Sequence, residues 1–280
     1  MNLFVTGATG KVGSRFVPRL LQRGHHVRLL VRDSARAEGL HQLGAELLEG
    51  DLLQPDHYAE ALRDTDVVVH LAAQFRGVDE NTTRVSNIDG SIALARAALK
   101  ADVPRFVFSS TNNVYGSGGH SRPKHEDDEP NPTFAYPQTK VEAEAALLRL
   151  HREQGLGLRI VRFPFVYGDH DPHITEVLPL LRNWNPAKRI HMAHHADISQ
   201  ALILAASTPG IDGRIYNVAD DAPISVAELL QLHHSEISSE ALQQDYDPWD
   251  MIVDTTRIRE ELHYRPIYPS FYSARDAGAL

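Results

Sequence analysis

The chain has 280 residues, with 37 Asp or Glu, 28 Lys or Arg, 16 His and no cysteine, for a formal charge of −9. The missing cysteine excludes disulfides, thiolate catalysis, iron–sulfur clusters and thiolate-held zinc, and the acidic balance argues against broad binding to nucleic acid or an anionic membrane. A hydrophobic fraction of 42% suits one large domain, or one domain with a smaller lobe.

Apolar runs at Leu3–Val5, Val27–Val31, Glu46–Leu48, Val67–Leu71, Phe106–Phe108 and Leu158–Val161 predict strands. Between them, Val12–Arg23, Ala35–Leu43, His57–Leu62, Ile88–Lys100 and Thr139–Gln154 carry helical patterns. Unbroken apolar strands suit a sheet covered on both faces, and the repeated alternation predicts a doubly wound parallel-sheet α/β fold. After Gly168 the rhythm changes. Asp169–His195 is rich in Pro, His and Asn, Ala196–Ser207 reads as a helix and Arg214–Val218 as a strand. Ser225–His234 reads as a helix with Ser225 as N-cap and Glu228 three residues on, and Thr255–Leu262 as a last short helix. The expected division is a dinucleotide-binding domain over 1–168, completed by about 190–220. A small C-terminal substrate lobe would take 169–189 and 221–280. The acidic stretch Glu126–Glu129 reads as a solvated loop. The apolar start breaks at Thr6, too soon for a signal peptide, and no stretch is long and apolar enough for a membrane span, so the expected setting is cytoplasmic.

The first predicted strand runs into Gly7, Gly10 and Gly13, with Thr9, Lys11 and Val12 between them, and then into a helix. Glycines in a strand-to-helix turn let the backbone approach a pyrophosphate at the positive helix end, the mark of a Rossmann fold. Close helix–strand packing is the alternative use of such glycines. At the end of the second strand Val31 stands where NAD sites usually place an acid, followed by Arg32 and Asp33, with Arg36 one turn on. The two guanidiniums favour NADP through a 2′-phosphate, while Asp33 leaves NAD open. Further on, Tyr136 and Lys140 are four apart, so they share a helix face. A nearby ammonium stabilises a phenolate, which lowers its pKa and makes Tyr136 a proton shuttle.

Together these residues make the chain resemble the extended short-chain dehydrogenase/reductases, the NAD-dependent epimerase/dehydratase family. The resemblance covers most of the chain. It includes the glycine loop, Gly50-Asp51-Leu52, His70-Leu71-Ala72-Ala73, Asn87, Ser109 to Gly116, Tyr136 with Lys140, Arg162 to Gly168, His194 to Asp197 and Tyr216-Asn217-Val218. It implies that Asp51 and Leu52 border the adenine and that Leu71, Ala72 and Ala73 line the cleft beside Ser109. Phe163 and Pro164 would pack near the nicotinamide. It assigns Thr111 to the reacting oxygen, and Lys140 also to the ribose. Asn112 and Asn113 replace the two acids of the 4,6-dehydratases, and an amide carries no proton at neutral pH, so dehydration is disfavoured. Either amide would orient substrate hydroxyls or close a local turn.

The resemblance implies hydride transfer at a secondary alcohol or ketone of a sugar-like substrate, nucleotide sugars included, by an epimerase or a reductase. Two alternatives remain: an NADPH-dependent reductase of a small non-nucleotide carbonyl compound, and a non-catalytic dinucleotide sensor. Cations for a diphosphate are hard to place, since Lys188 and Arg189 stand near the usual position and Gln243 and Gln244 occupy the other. His170, Asp171 and His173, or His191, His194 and His195, lack the helix phasing of a metal site, and no metal is expected. His194 matches a structural position, and the other histidines are expected to face solvent. The expected partner is a small-molecule substrate, with no nucleic acid and no membrane. Ile92, Leu94, Ala98 and Leu99, with Val141, Ala145 and Leu148, would allow a homodimer.

Overall fold

The computed structural model describes residues 1–75 and 77–280. In chain order its elements are β1 (Asn2–Thr6), α1 (Gly13–Gln22), β2 (His26–Val31), α2 (Glu38–Gln42), β3 (Glu46–Glu49), β4 (Val67–His70), α3 (Glu80–Arg84), α4 (Gly90–Lys100), β5 (Phe106–Thr111), α5 (Ala135–Gln154) and β6 (Leu158–Phe163). There follow β7 (Phe165–Tyr167), α6 (His173–Leu181), β8 (Arg189–Ile190), β9 (Met192–His194), α7 (His195–Ser207), β10 (Arg214–Asn217), β11 (Ile224–Ser225), α8 (Val226–Leu232), α9 (Thr256–Glu261) and α10 (Phe271–Asp276).

Seven strands form one sheet in the order β10-β6-β5-β4-β1-β2-β3, with every neighbouring pair parallel. Alternation along each strand assigns its side chains to two apolar layers. Leu3, Val5, Val67, Val69, Val107 and Val161 pack with Phe16, Val17 and Leu20 of α1 and with Ile198, Leu202 and Ala205 of α7. On the other face Phe4, Val68, Phe106, Phe108, Leu158 and Ile160 meet Leu94, Ala95 and Ala98 of α4 and Ala143, Leu147 and Leu150 of α5. This is the doubly wound arrangement, and each fully buried Leu, Val or Phe in it stabilises the fold by about 1.5–3 kcal/mol. A separate apolar cluster joins Ile174, Val177 and Leu181 of α6 to Val226, Leu229 and Leu230 of α8 and to Phe271 of α10. Ser225 caps α8 in a reciprocal capping box with Glu228.

Several elements differ from the sequence expectation. The region His57–Leu62 is not an α-helix but two single turns, Pro55–His57 and Glu60–Leu62, which fold around the fully buried Tyr58. The helix expected from Ile88 begins at Glu80 and passes through one π-turn, Val85–Asp89, before α4. The helix expected from Thr139 begins at Ala135, because Pro137 falls in the first turn, where no backbone N–H is needed. Glu126 is buried rather than solvated: its Oε1 accepts from Asn217 N at 2.8 Å, a pairing that closes only in the folded chain. Leu94 and Ala98 point into the core, while Ile92, Leu99, Val141 and Leu148 are partly buried and Ala145 is exposed. Among the described residues, no helix is long and apolar enough to cross a membrane.

Candidate active site

The chain order in the sheet reverses between β1 and β4, and ligands of such sheets bind at the carboxyl ends of the strands beside that reversal. Thr6, His70, Thr111 and Phe163 end β1, β4, β5 and β6 along that edge. Gly7 has φ +74°, and a Cβ there would lie 2.5 Å from Ala72 N, so only glycine lets the loop meet the end of β4. A Cβ on Gly13 would lie 2.2 Å from Gly7 O. Gly13 therefore serves helix–loop packing, while Gly10, whose N–H donates to Gly7 O at 3.1 Å, stays at the surface.

Beneath the loop runs an ordered chain of polar groups. Ser91 Oγ donates to Asn87 O at 2.6 Å and therefore accepts from His70 Nε2 at 2.9 Å. His70 Nδ1 is left to accept from Thr6 Oγ1 at 2.6 Å, and Thr6 Oγ1 in turn accepts from Ala72 N at 3.3 Å. Burial holds His70 down at about 3, with Lys140 adding to the effect, so this imidazole stays neutral.

Lys11 extends from the glycine loop to Glu176 of α6 at 2.5 Å and to Asp171 at 3.4 Å. At the end of β2, Asp33 accepts from Ala35 N at 3.0 Å and caps the following turn. Arg32 and Arg36 are exposed, and neither side chain has a hydrogen-bond or ionic partner among the described residues. Asp51 accepts from Leu53 N at 2.8 Å, with Leu52 half-buried beside it, and Leu71 and Ala72 are partly buried at the cleft edge while Ala73 is exposed.

Register pairs Thr111 with Phe163, and Pro164 follows at the strand end. Thr111 Oγ1 accepts from Asn113 N at 3.2 Å, and its hydroxyl hydrogen has no acceptor among the described residues. Lys140, 1% exposed, donates from Nζ to Ser109 O at 2.9 Å and lies 4.5 Å from the centroid of Phe108. Burial lowers its ammonium to about 7, against the charge of Glu144. Burial also pushes the Tyr136 phenol up. The direction is opposite to the lowering expected from a nearby ammonium, because desolvation of the phenol decides it. Asn112 turns away from this edge, donating from Nδ2 to Val218 O at 3.3 Å, and its buried Oδ1 has no partner among the described residues. Asn113 is partly buried.

Asn87 is a brace that the sequence did not single out as a site residue. Its Oδ1 accepts from Gln74 N at 2.7 Å, and its Nδ2 donates to Gln74 O at 2.9 Å and to Thr139 Oγ1 at 3.0 Å. Thr139 Oγ1 donates to Tyr136 O at 2.7 Å. One side chain thus ties the loop after β4 to the turn that carries Tyr136. The π-turn that holds Asn87 is a feature often found at functional sites.

A second buried network backs α5. Arg162 makes two bonds to Glu144, at 3.1 and 2.6 Å, and one to Tyr115 Oη at 2.7 Å; Tyr115 donates to Asn217 Oδ1 at 2.8 Å. The histidines are more buried than expected. His194 caps α7, accepting from Ala196 N, while its Nε2 donates to Ala279 O at 2.7 Å. His195 bonds Asp171 at 2.8 Å, and His191 accepts from Val253 N at 3.1 Å. His173 stacks on Phe165 with centroids 4.3 Å apart, and His170 is exposed. Among the described residues, no three His, Asp or Glu side chains are arranged to hold a metal ion. Lys188 is held by Asp250 at 2.6 Å and lies over the Trp184 ring.

Comparison with known proteins adds the family. The profile of the NAD dependent epimerase/dehydratase family matches residues 3–219. The chain is 32% identical over 249 residues to a 4-hydroxy-2-methyl-3-oxo-4-farnesyl-3,4-dihydroquinoline-1-oxide ketoreductase of Stigmatella aurantiaca, covering 83% of this chain and 72% of that one. It is 28% identical over 302 residues to a dTDP-glucose 4,6-dehydratase of Streptomyces antibioticus, covering 95% and 88%. A short-chain dehydrogenase/reductase superfamily protein of Agrobacterium tumefaciens, solved with bound NAD, shares the fold at a TM-score of 0.81 and 24% identity, over 99% of this chain and 96% of that one.

Proposed function

This chain belongs to the NAD-dependent epimerase/dehydratase family, and we propose that it is an NADPH-dependent reductase of a non-nucleotide carbonyl compound. The observation that supports this reading is that Lys140, one helical turn after Tyr136 on α5, donates to Ser109 O of β5, the strand that ends at Thr111. A phenol pushed up by burial is protonated at neutral pH, as a proton donor to a carbonyl must be. The residues present fit a dinucleotide: Gly7 admits the loop backbone at the sheet reversal, Arg32 and Arg36 have no side-chain partner among the described residues, and one carboxylate oxygen of Asp33 caps the following turn. That pattern favours a 2′-phosphate, hence NADP over NAD.

A bound reduced dinucleotide supplies the hydride. Thr111 Oγ1 donates to the substrate oxygen, Tyr136 Oη gives that oxygen its proton, and solvent returns the proton to the phenolate. Lys140, fixed on Ser109 O one helical turn after Tyr136, would hold the ribose. Phe163 and Pro164, at the end of β6, would hold the nicotinamide. The amides Asn112 and Asn113 provide no acid–base pair for dehydration. Lys188 is neutralised by Asp250, so of the two cations at this position the exposed Arg189 is left for a substrate diphosphate, which favours a small carbonyl over a nucleotide sugar. The similarity to a ketoreductase supports the same direction. The segments around α6 and α8 form the substrate lobe in this reading.

Tyr136→Phe tests it: kcat for ketone reduction falls about 10²–10⁴-fold while calorimetric NADP affinity holds. Retained turnover refutes the role of the phenol. Net NADPH consumption separates a reductase from an epimerase, which returns its hydride.

A further inference from the structure

An aromatic ring packs against the proposed catalytic phenol. The Phe75 ring, 41% exposed, meets Tyr136 edge to face, with centroids 4.6 Å apart and planes at 69°. Phe134, 47% exposed, is the N-cap residue of α5, two positions before Tyr136. Val78, 44% exposed, follows Phe75 in the same loop. The residue before Phe75 and the turn that carries Tyr136 are tied together. Asn87 clamps both backbone groups of Gln74, the residue before Phe75, and through Thr139 it fixes the turn of Tyr136. A buried amide therefore keeps a large apolar ring beside the reacting group and half in water, where burial of that ring by a ligand is favourable.

We propose that Phe75, together with Phe134, is a specificity-determining platform that receives the apolar body of the substrate, so that the enzyme prefers aromatic or fused-ring ketones. The proposal rests on the ketone-reductase reading above and adds the substrate class. A polyhydroxylated substrate placed on this surface loses hydration of its hydroxyls without gaining partners from Phe75 or Phe134. A second aromatic ring covers the platform and gains affinity in proportion to the apolar area removed from water.

Two measurements test the platform. NADPH consumption is followed with α-tetralone, cyclohexanone and dihydroxyacetone, and calorimetry on the NADP-loaded enzyme compares 2-naphthol with cyclohexanol. KM for α-tetralone is expected about tenfold below that for cyclohexanone, with dihydroxyacetone poorest, and 2-naphthol should bind about tenfold more tightly than cyclohexanol. Phe75→Ala should raise the α-tetralone KM and the 2-naphthol Kd about tenfold, with kcat within twofold. Phe75→Leu should restore most of the affinity, and Phe134→Ala should lie between. NADP affinity monitors the fold of each variant. Equal affinity for the bicyclic and monocyclic probes, or a Phe75→Ala variant that loses kcat but not affinity, overturns the platform. If no ketone is reduced but 2-naphthol still binds through Phe75, the reductase reading fails and the platform stands. If ketones are reduced without preference for the fused ring, the reverse holds.

Discussion

Lys140 is an ammonium buried at 1% exposure, with one carbonyl acceptor and one aromatic face. Its pKa falls from 10.5 to about 7, which corresponds to on the order of 5 kcal/mol of destabilisation while the group is charged in both states. Lys140→Met removes that charge from a site already lined by Phe108. Below pH 7 both folded and unfolded wild type carry the lysine proton, so the stability difference between the two proteins is constant. From pH 7 to 10.5 the unfolded chain holds a proton that the folded chain has lost, and wild type gains about 1.4 kcal/mol per pH unit. The folded lysine is half deprotonated at pH 7, so by pH 9 the gap has moved by about 2 kcal/mol towards wild type relative to pH 7. Titrations common to both proteins cancel in the comparison. Urea unfolding of the two proteins at pH 6, 7, 8 and 9, without added dinucleotide, reads the gap directly. A gap that does not change between pH 7 and 9 refutes the account of a desolvated lysine, whatever its absolute size. The variant should also lose turnover.

Other outcomes follow from single partners. Arg32→Ala removes a charge-assisted contact to a 2′-phosphate, at about 1.5–3 kcal/mol, so calorimetry should show NADP affinity falling roughly ten- to a hundredfold with NAD within twofold; an equal loss for both contradicts the NADP assignment. Glu144→Ala strands the buried Arg162 guanidinium and should cost about 3–5 kcal/mol in chemical denaturation, and a loss below about 1 kcal/mol would mean the pair is solvated. Asp220 is buried with neither carboxylate oxygen partnered among the described residues, and burial raises its pKa to about 8. Because the folded state then keeps a proton that the unfolded state releases above 3.8, stability drops as pH rises from 3.8 to 8, and Asp220→Asn should flatten that slope in unfolding experiments.

The sheet was legible because its signal is local. Leu3, Phe4 and Val5, or Val67, Val68 and Val69, are apolar at consecutive positions, which only a strand covered on both faces requires. That Tyr136 and Lys140 share one helix was legible for the same reason, since their spacing is one helical turn. The helix expected from Thr139 starts four residues earlier, at Ala135, since proline is tolerated in a first turn. The short pattern His57–Leu62 lacked the length to form a stable helix, and Tyr58 decided its path by filling the core instead.

The polar groups that organise the site were hidden because their partners lie far along the chain. Asn87 bonds residues 13 and 52 positions away, and its π-turn interrupts the helical phase that sequence periodicity relies on. Glu126 sits in an acidic run, where composition predicts solvent, yet it pairs with a backbone N–H 91 positions on. The sheet supplies the missing information: register sets Ser110 beside Arg162, and that guanidinium then fixes Glu144 on α5, one turn beyond Lys140. The helix carrying Tyr136 and Lys140 is thus anchored by Asn87 near its start and by Arg162 further along. Such double anchoring holds the phenol and the ammonium in one geometry, whereas a helix fixed only by apolar contacts could slide by a fraction of a turn. A phenol must lie within hydrogen-bond reach of the oxygen it protonates, a tolerance far smaller than the pitch of the helix that carries it.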